Sequence, residues 1–302
     1  MEIIAEGLEF PEGPIAMPDG SVILVEIKRQ TLTRVLPGGA AEIIAEIPGG
    51  PNGAAFGPDG KVYVCNNGGF EWRTAVGQTI SGDAPADYRG GSIDRVDLAT
   101  GVVETLYTEL QGHRLSGPND LVFDRTGGFW FTDHGKIRER ARDHGGLYYA
   151  RADGSKIVEA FYPMATPNGV GLSPDEKTLY VADTMSGRLL AFDLEGPGAL
   201  APAEIPLPGR VVASLPGYQF LDSLGVEANG NICVATLLNG GITTFAPDGA
   251  FEHIALPDLF PTNICFGGKD MRDAYVTLSG TGRLAKLRWP RPGLKLNFAI
   301  YP

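Results

Sequence analysis

The sequence predicts an all-β chain folded as a six-bladed β-propeller, with an N-terminal strand closing the last blade. Three observations predict it. One phrase recurs six times along the 302 residues. The intervals between copies leave room for about four short strands each, the content of a propeller blade. Gly (42) and Pro (23) are abundant but follow no collagen-like period, which suits short strands joined by tight turns.

The first two copies are the clearest. EIIAEGLEFPEGPIAMPDG at 2–20 aligns without a gap on EIIAEIPGGPNGAAFGPDG at 42–60. Later copies are GPNDLVFDRTGGFWFTD from Gly117, TPNGVGLSPDEKTLYVAD from Thr166, FLDSLGVEANGNICVAT from Phe220 and FPTNICFGGKDMRDAYVTL from Phe260. Each reads as a special residue, a short apolar strand, a turn of the Pro-Asp-Gly or Asn-Gly kind, and a second strand such as VYVCN or LYVAD, which is a β-hairpin. Residues 1–10 precede the first phrase with no blade before them, so they are expected to pair into the sixth blade beside strands from 282–298. That closure removes open sheet edges. The expectation is a single domain over 1–302.

The longest interval, from 52 to 119, contains NNGGFEWRTAVGQTISGDAPADYRGG at 66–91. It is rich in Gly and aromatics and lacks strand periodicity, so it reads as a long loop. Insertions of this size in compact domains are usually functional. The loop is placed over the pocket mouth, with Phe70, Trp72 and Tyr88 available to substrate; a surface excursion or subunit contact is the alternative.

Aligned on their turns, the six phrases put Glu12, Asn52, Asn119, Asn168, Asp222 and Thr262 in one column. Every member carries a side-chain oxygen. Innermost propeller strands surround a central channel, so equivalent strand starts converge on the axis. Two carboxylates among carboxamides suit one hard divalent cation, Ca²⁺ before Zn²⁺, because no His or Cys occupies the column; Mg²⁺ and Mn²⁺ are further candidates. Glu12 and Asp222 would repel each other without a cation between them. Against this, Asn-Gly at 52 and 168 and Asn-Asp at 119 are ordinary turn formers. Turn chemistry explains neither Glu12 nor Asp222. Asn52 and Thr262 are expected to bond water, substrate or a metal ligand.

Other candidates are weaker. His134 and His113 fall near turns of the third blade and could contact substrate or shuttle protons. Asp133 and Asp183 end equivalent strands, where a turn hydrogen bond is the expected role. Cys65, Cys233 and Cys265 have no C-x-x-C spacing and sit in apolar strand patterns, reading as small buried side chains rather than a disulfide framework or nucleophiles. No nucleophile elbow, phosphate-binding glycine loop or zinc-protease helix is present.

These motifs resemble the SMP-30/gluconolactonase/luciferin-regenerating-enzyme family, related to diisopropyl fluorophosphatase and paraoxonase-type propellers. The marks are FPEGP around Glu12, GPNDLVFD around Asn119, TPNGVGLSPDEKTLYVADT around Asn168 and LDSLGVEANGNICVA around Asp222. The resemblance covers nearly the whole chain. It implies that Glu12, Asn168 and Asp222 hold a catalytic divalent metal, that Asn119 ligates it or lies near the substrate, and that Asp222 is the general base. In one respect the chain departs from the sugar-lactone members, which commonly carry Arg two residues before the Asn of Asn-Asp; here the run is Ser116-Gly117-Pro118-Asn119. Arg114 or Arg89 could supply a cation from a loop instead.

The expected function is therefore metal-dependent opening of a small-molecule lactone, with Asp222 catalytic, Glu12, Asn119, Asn168 and Asp222 on the metal, and Asn52, Asn119, Thr262, Arg114, His134 and Trp72 toward substrate. Alternatives are an organophosphate or aryl-ester hydrolase on the same ion, a non-catalytic Ca²⁺-binding scaffold, and a propeller of the strictosidine-synthase kind. A formal charge of −11 and no long Lys/Arg cluster argue against nucleic acid and membrane partners. No signal-like N-terminus is seen, no apolar run reaches the roughly 20 residues a bilayer requires, and the thiols fit a reducing cytoplasm. A monomer or small homo-oligomer is expected.

Overall fold

The computed structural model describes residues 1–205 and 207–301. Among them, strand is the only regular structure apart from a 3-10 turn at Ser279–Thr281. Six antiparallel sheets follow one another as blades. Blade 1 holds Pro11–Ala16, Val22–Glu26, Thr31–Val35 and Ala41–Glu46, and blades 2 to 5 begin at Pro51–Phe56, Pro118–Phe123, Pro167–Leu172 and Phe220–Val226. Blade 6 takes Pro261–Gly267, Asp273–Leu278 and Arg283–Arg288, and its outermost strand is Glu2–Ala5 from the other end of the chain, Ile3 pairing with Ala285. The expected closure is observed.

Blades pack face to face, and their cores lie between neighbours. Tyr63 of blade 2 meets Phe123 and Phe129 of blade 3 at ring distances of 5.1 and 5.8 Å, within one buried cluster that also holds Phe131 and Ile93. Burying each such side chain contributes about 1.5–3 kcal/mol. Close approach nearer the axis needs glycine. A Cβ on Gly13 would lie 2.6 Å from the Asn52 carbonyl oxygen, and one on Gly169 would lie 2.7 Å from that of Asp222. The glycines of Glu-Gly and Asn-Gly therefore serve strand-to-strand contact; both stand inside strands, not in turns.

Five of the six innermost strands place Pro just before the column residue: Pro11, Pro51, Pro118, Pro167 and Pro261. Proline is tolerated at a strand start, where it removes no ladder hydrogen bond. A second repeated device fixes the chain just ahead of it. The last residue of the second strand accepts an entering backbone N–H: Glu9 to Glu26 at 2.6 Å, Gly50 to Asn66 at 2.8 Å, Gly117 to Asp133 at 2.7 Å and Thr166 to Asp183 at 2.9 Å. Asp133 and Asp183 thus have the turn-bonding role expected of them. In these four blades the column residue is held between this clamp and the neighbouring blade.

The 66–91 insertion differs from the expected structureless loop. It contains a hairpin, Trp72–Ala75 with Gln78–Ser81, turning through Val76 (φ 48°) and Gly77 (φ 73°). The hairpin leaves blade 2 and reaches over blades 1 and 6. Trp72 packs on Phe10 of blade 1 with ring centroids 5.0 Å apart, while the second strand contacts the 3-10 turn of blade 6. On the opposite face the C-terminal segment runs under the propeller. Leu294 donates to Val226 O at 2.8 Å and Asn297 Nδ2 to Glu176 Oε1 at 2.7 Å.

Candidate active site on the propeller axis

All six column residues, Glu12, Asn52, Asn119, Asn168, Asp222 and Thr262, line one cavity of about 330 Å³ at the hairpin end of the axis. All six are buried, none more than 9% exposed. Their individual bonding separates them. Glu12 Oε2 accepts the Gly13 N–H at 2.7 Å and Asn263 Nδ2 at 2.8 Å, which orients the carboxylate. Thr262 is saturated, its hydroxyl lying 2.5 Å from Ser279 Oγ and 2.9 Å from Thr277 Oγ1. Asn168 Oδ1 meets only a distant hydroxyl, Ser223 Oγ at 3.4 Å. Asn119 Oδ1 is buried without any hydrogen-bond partner, a costly state for an amide oxygen unless something absent from the chain itself completes it.

A third carboxylate stands close behind Glu12 and Asp222. Asp120 is 7% exposed and lines a separate, mainly apolar cavity of about 90 Å³ beneath the column, closed below by the C-terminal segment. Asn119-Asp120 has the sequence of a turn but stands in the strand Pro118–Phe123, and that strand position behind a column residue is the signal that marks Asp120. Burial first, then the Glu12 carboxylate, pushes Asp120 up to about 8. Burial likewise raises Asp222 well above the usual carboxylate range, with Glu12 and then Asp120 adding to the effect. Glu12 is raised by its own burial. Three buried carboxyl groups thus share one axis with no cationic side chain among the column residues, and they gain from either protons or a cation.

Among the described residues no group of three or more His, Cys, Asp and Glu is placed to hold a metal. The arrangement here is instead two carboxylates among carboxamides, with an amide oxygen left over. Such a donor set fits a hard, oxygen-ligated divalent cation.

Blade 3 and the insertion supply part of the wall above the column. His134 belongs to it, and burial first, then Arg142, pushes its ring down to about 4, so it is neutral at neutral pH. The insertion contributes Phe70, Arg73, Ile80, Ser81 and Gly82 to the cavity wall. Trp72 does not face the cavity; its ring is spent packing on Phe10 and Phe70. Arg114 is also off the site, on the surface with Nη1 donating to Arg89 O at 2.8 Å, because its short hairpin with Glu109–Leu110 folds outward. The cationic side chain that reaches the cavity is Arg73, which the sequence pattern did not single out.

Beneath the hairpin lies Lys136, 1% exposed. Its ammonium donates to Gly69 O at 2.5 Å and Asn67 Oδ1 at 3.2 Å and sits 3.8 Å over the Phe70 ring. Burial pushes it down to about 7. The cysteines are inert by position, burial raising the thiols of Cys65 and Cys233 well above their usual range. No helix among the described residues is long and apolar enough to cross a membrane.

Fold and site together define a six-bladed propeller with an acidic, carboxamide-lined pocket at one end of its axis. The chain belongs to the SMP-30/gluconolactonase/LRE-like family, whose sequence pattern matches residues 10–280. It is 28% identical to a gluconolactonase of Zymomonas mobilis over 89% of this chain and 76% of that protein. It is 30% identical to lactonase drp35 of Staphylococcus saprophyticus over 83% of this chain and 70% of the relative. A gluconolactonase structure from Xanthomonas campestris superposes with a TM-score of 0.74 at 24% identity, covering 95% of this chain and 89% of that one. A calcium-binding protein, regucalcin, from Agrobacterium tumefaciens gives 0.72 at 21% identity, covering 97% of each. The named lactonases support a hydrolase role of lactonase type.

Proposed function

We propose that the chain opens a lactone ring by hydrolysis and depends on one divalent cation, Ca²⁺ before Mg²⁺, Mn²⁺ or Zn²⁺. The observation that carries the cation is the partnerless Asn119 Oδ1 facing the cavity that Glu12 and Asp222 line. Glu12, Asn119, Asn168 and Asp222 are the residues that would hold it. When bound, the ion supplies a Lewis acid that polarises the ester carbonyl and favours charge on its oxygen. The lactonase relatives support the choice of substrate class.

The remaining work falls to the chain. Asp222 takes a proton as a water oxygen attacks the carbonyl carbon and returns it to the ring oxygen as the C–O bond breaks, giving a hydroxy acid. Asn263, through Glu12, keeps the opposite wall of the site fixed. Hairpin and Phe70 limit competing water.

The test is turnover of γ- and δ-lactones and of a fluorophosphate after chelation and re-addition of each metal. Lactone turnover abolished by chelator and restored by Ca²⁺ is expected. Activity indifferent to chelation would overturn the metal role, and fluorophosphate turnover alone would favour a phosphoester hydrolase. Asp222→Asn should lower kcat at least a hundredfold, on the order of what a general base contributes, with the far-ultraviolet spectrum unchanged.

A further inference from the structure

A second ring of residues stands above the column, and it is two-faced. By strand pairing, Pro11 lies opposite Glu26, Pro51 opposite Asn66, Pro118 opposite Asp133, Pro167 opposite Asp183, Leu221 opposite Thr236 and Pro261 opposite Leu278. The residue after each partner is therefore equivalent: Ile27, Asn67, His134, Thr184, Leu237 and Ser279. All but Ser279 line the cavity. Blades 2, 3 and 4, which are neighbours, supply the polar members Asn67, His134 and Thr184.

The other side is apolar for the same reason of symmetry. Two residues before the column stand Phe10, Phe220 and Phe260 in blades 1, 5 and 6, and all three line the cavity. The same position in blades 2, 3 and 4 holds Gly50, Gly117 and Thr166. One wall thus carries three phenylalanines with Ile27 and Leu237, and the facing wall carries an amide, an imidazole and a hydroxyl, with Ile137 and Met185 beside them.

The polar wall has unfilled bonding capacity. Asn67 is 2% exposed; its Oδ1 accepts from Gly69 N at 2.9 Å and from Lys136, while its Nδ2 has no partner. Thr184 is 8% exposed and its Oγ1 also has none. Neutral His134 between them offers one donor and one acceptor. Buried polar atoms left unpaired cost free energy that a ligand's hydroxyl can relieve, and an apolar wall gains from each methylene it covers.

We infer that Asn67, His134 and Thr184 form a hydrogen-bonding subsite for a hydroxyl on the substrate, opposite a Phe10, Phe220 and Phe260 wall that takes an alkyl or aryl substituent. This rests on the lactone reading above. The preferred substrate is a lactone polar on one edge and apolar on the other, not a sugar lactone hydroxylated all round.

The experiment compares kcat/KM for unsubstituted δ-valerolactone, its alkyl-substituted form, a δ-lactone bearing one hydroxyl and one alkyl group, and δ-gluconolactone, in the metal-loaded full chain. The two-edged lactone is expected to exceed both δ-valerolactone and δ-gluconolactone by about tenfold or more. Thr184→Val, nearly isosteric, should lower the ratio of two-edged to alkyl lactone about tenfold. Phe260→Ala should lower the ratio of alkyl to unsubstituted lactone by a similar factor. These ratios do not respond to a merely structural loss, which scales all substrates together. Turnover with gluconolactone equal or superior, or a ratio unmoved by Thr184→Val, would overturn the subsite while leaving the lactonase. No turnover of any lactone would overturn both.

Discussion

Lys136 Nζ, in the loop between the second and third strands of blade 3, donates to the backbone carbonyl of Gly69 at the root of the hairpin, 2.5 Å away. The contact ties the insertion to a blade that did not produce it. Its acceptors are a carbonyl, an amide oxygen and an aromatic face, with no carboxylate in bonding range among its hydrogen-bond partners.

A buried ammonium held this way has a pH signature. Lys136 is pushed down to about 7 from 10.5, burial opposing Asp133, the leading favourable charge, with Arg138 and Asp143 acting in opposite senses. The folded chain therefore releases this proton before the unfolded chain does. Between those two values the unfolded state binds more protons, so this group's contribution to stability rises with pH. Lys136→Met lacks the titration. The unfolding free energy of Lys136→Met relative to the parent should fall as pH rises through that window, by up to about 1.4 kcal/mol per pH unit. Parallel denaturation curves at every pH would refute it.

Gly169 offers a steric test. A Cβ there would stand 2.7 Å from the Asp222 carbonyl and 2.7 Å from the Leu224 nitrogen, both backbone atoms unable to swing aside. Gly169→Ala should cost about 1–3 kcal/mol as an overpacked contact and displace Asp222 enough to cut turnover. Chemical denaturation and a lactone assay read the two effects separately.

Asn119 offers a thermodynamic one. If its Oδ1 completes a cation, adding Ca²⁺ at about a hundred times its Kd should stabilise the parent by about 2.7 kcal/mol. Asn119→Leu removes the oxygen at similar volume and should shrink that gain in a thermal-shift titration. An undiminished Ca²⁺-dependent shift in Asn119→Leu would place Asn119 outside the ligand set.

Much of this was legible because the fold repeats. Six phrases encode six hairpins, and a repeated residue on a repeated strand has one destination, the axis. Glu2–Ala5 could be placed in the last blade because its phrase lacks a blade before it. The second ring was not legible: Ile27, Asn67, His134, Thr184, Leu237 and Ser279 share a position but no chemistry, and only strand register makes them equivalent. The hairpin at 72–81 was hidden for a local reason. Its turn puts Val76, a β-branched residue, at positive φ, a conformation that pattern reading assigns to Gly or Asn. Arg114 and Trp72 were drawn toward the pocket by residue type, whereas local pairing and aromatic packing claim them.

The pairing of Ile3 with Ala285 joins positions 282 residues apart, whereas every other blade is stitched from strands close in sequence. Loop-closure entropy makes such a distant contact slow to form. Individual blades can assemble early, but the circle stays unlatched until this one seam is made. The axial pocket, which needs all six blades in register, is thus completed by an edge strand that carries none of its chemistry. Moving the chain ends to a loop between two inner blades would turn the seam into a local hairpin, and with it the order in which the ring closes.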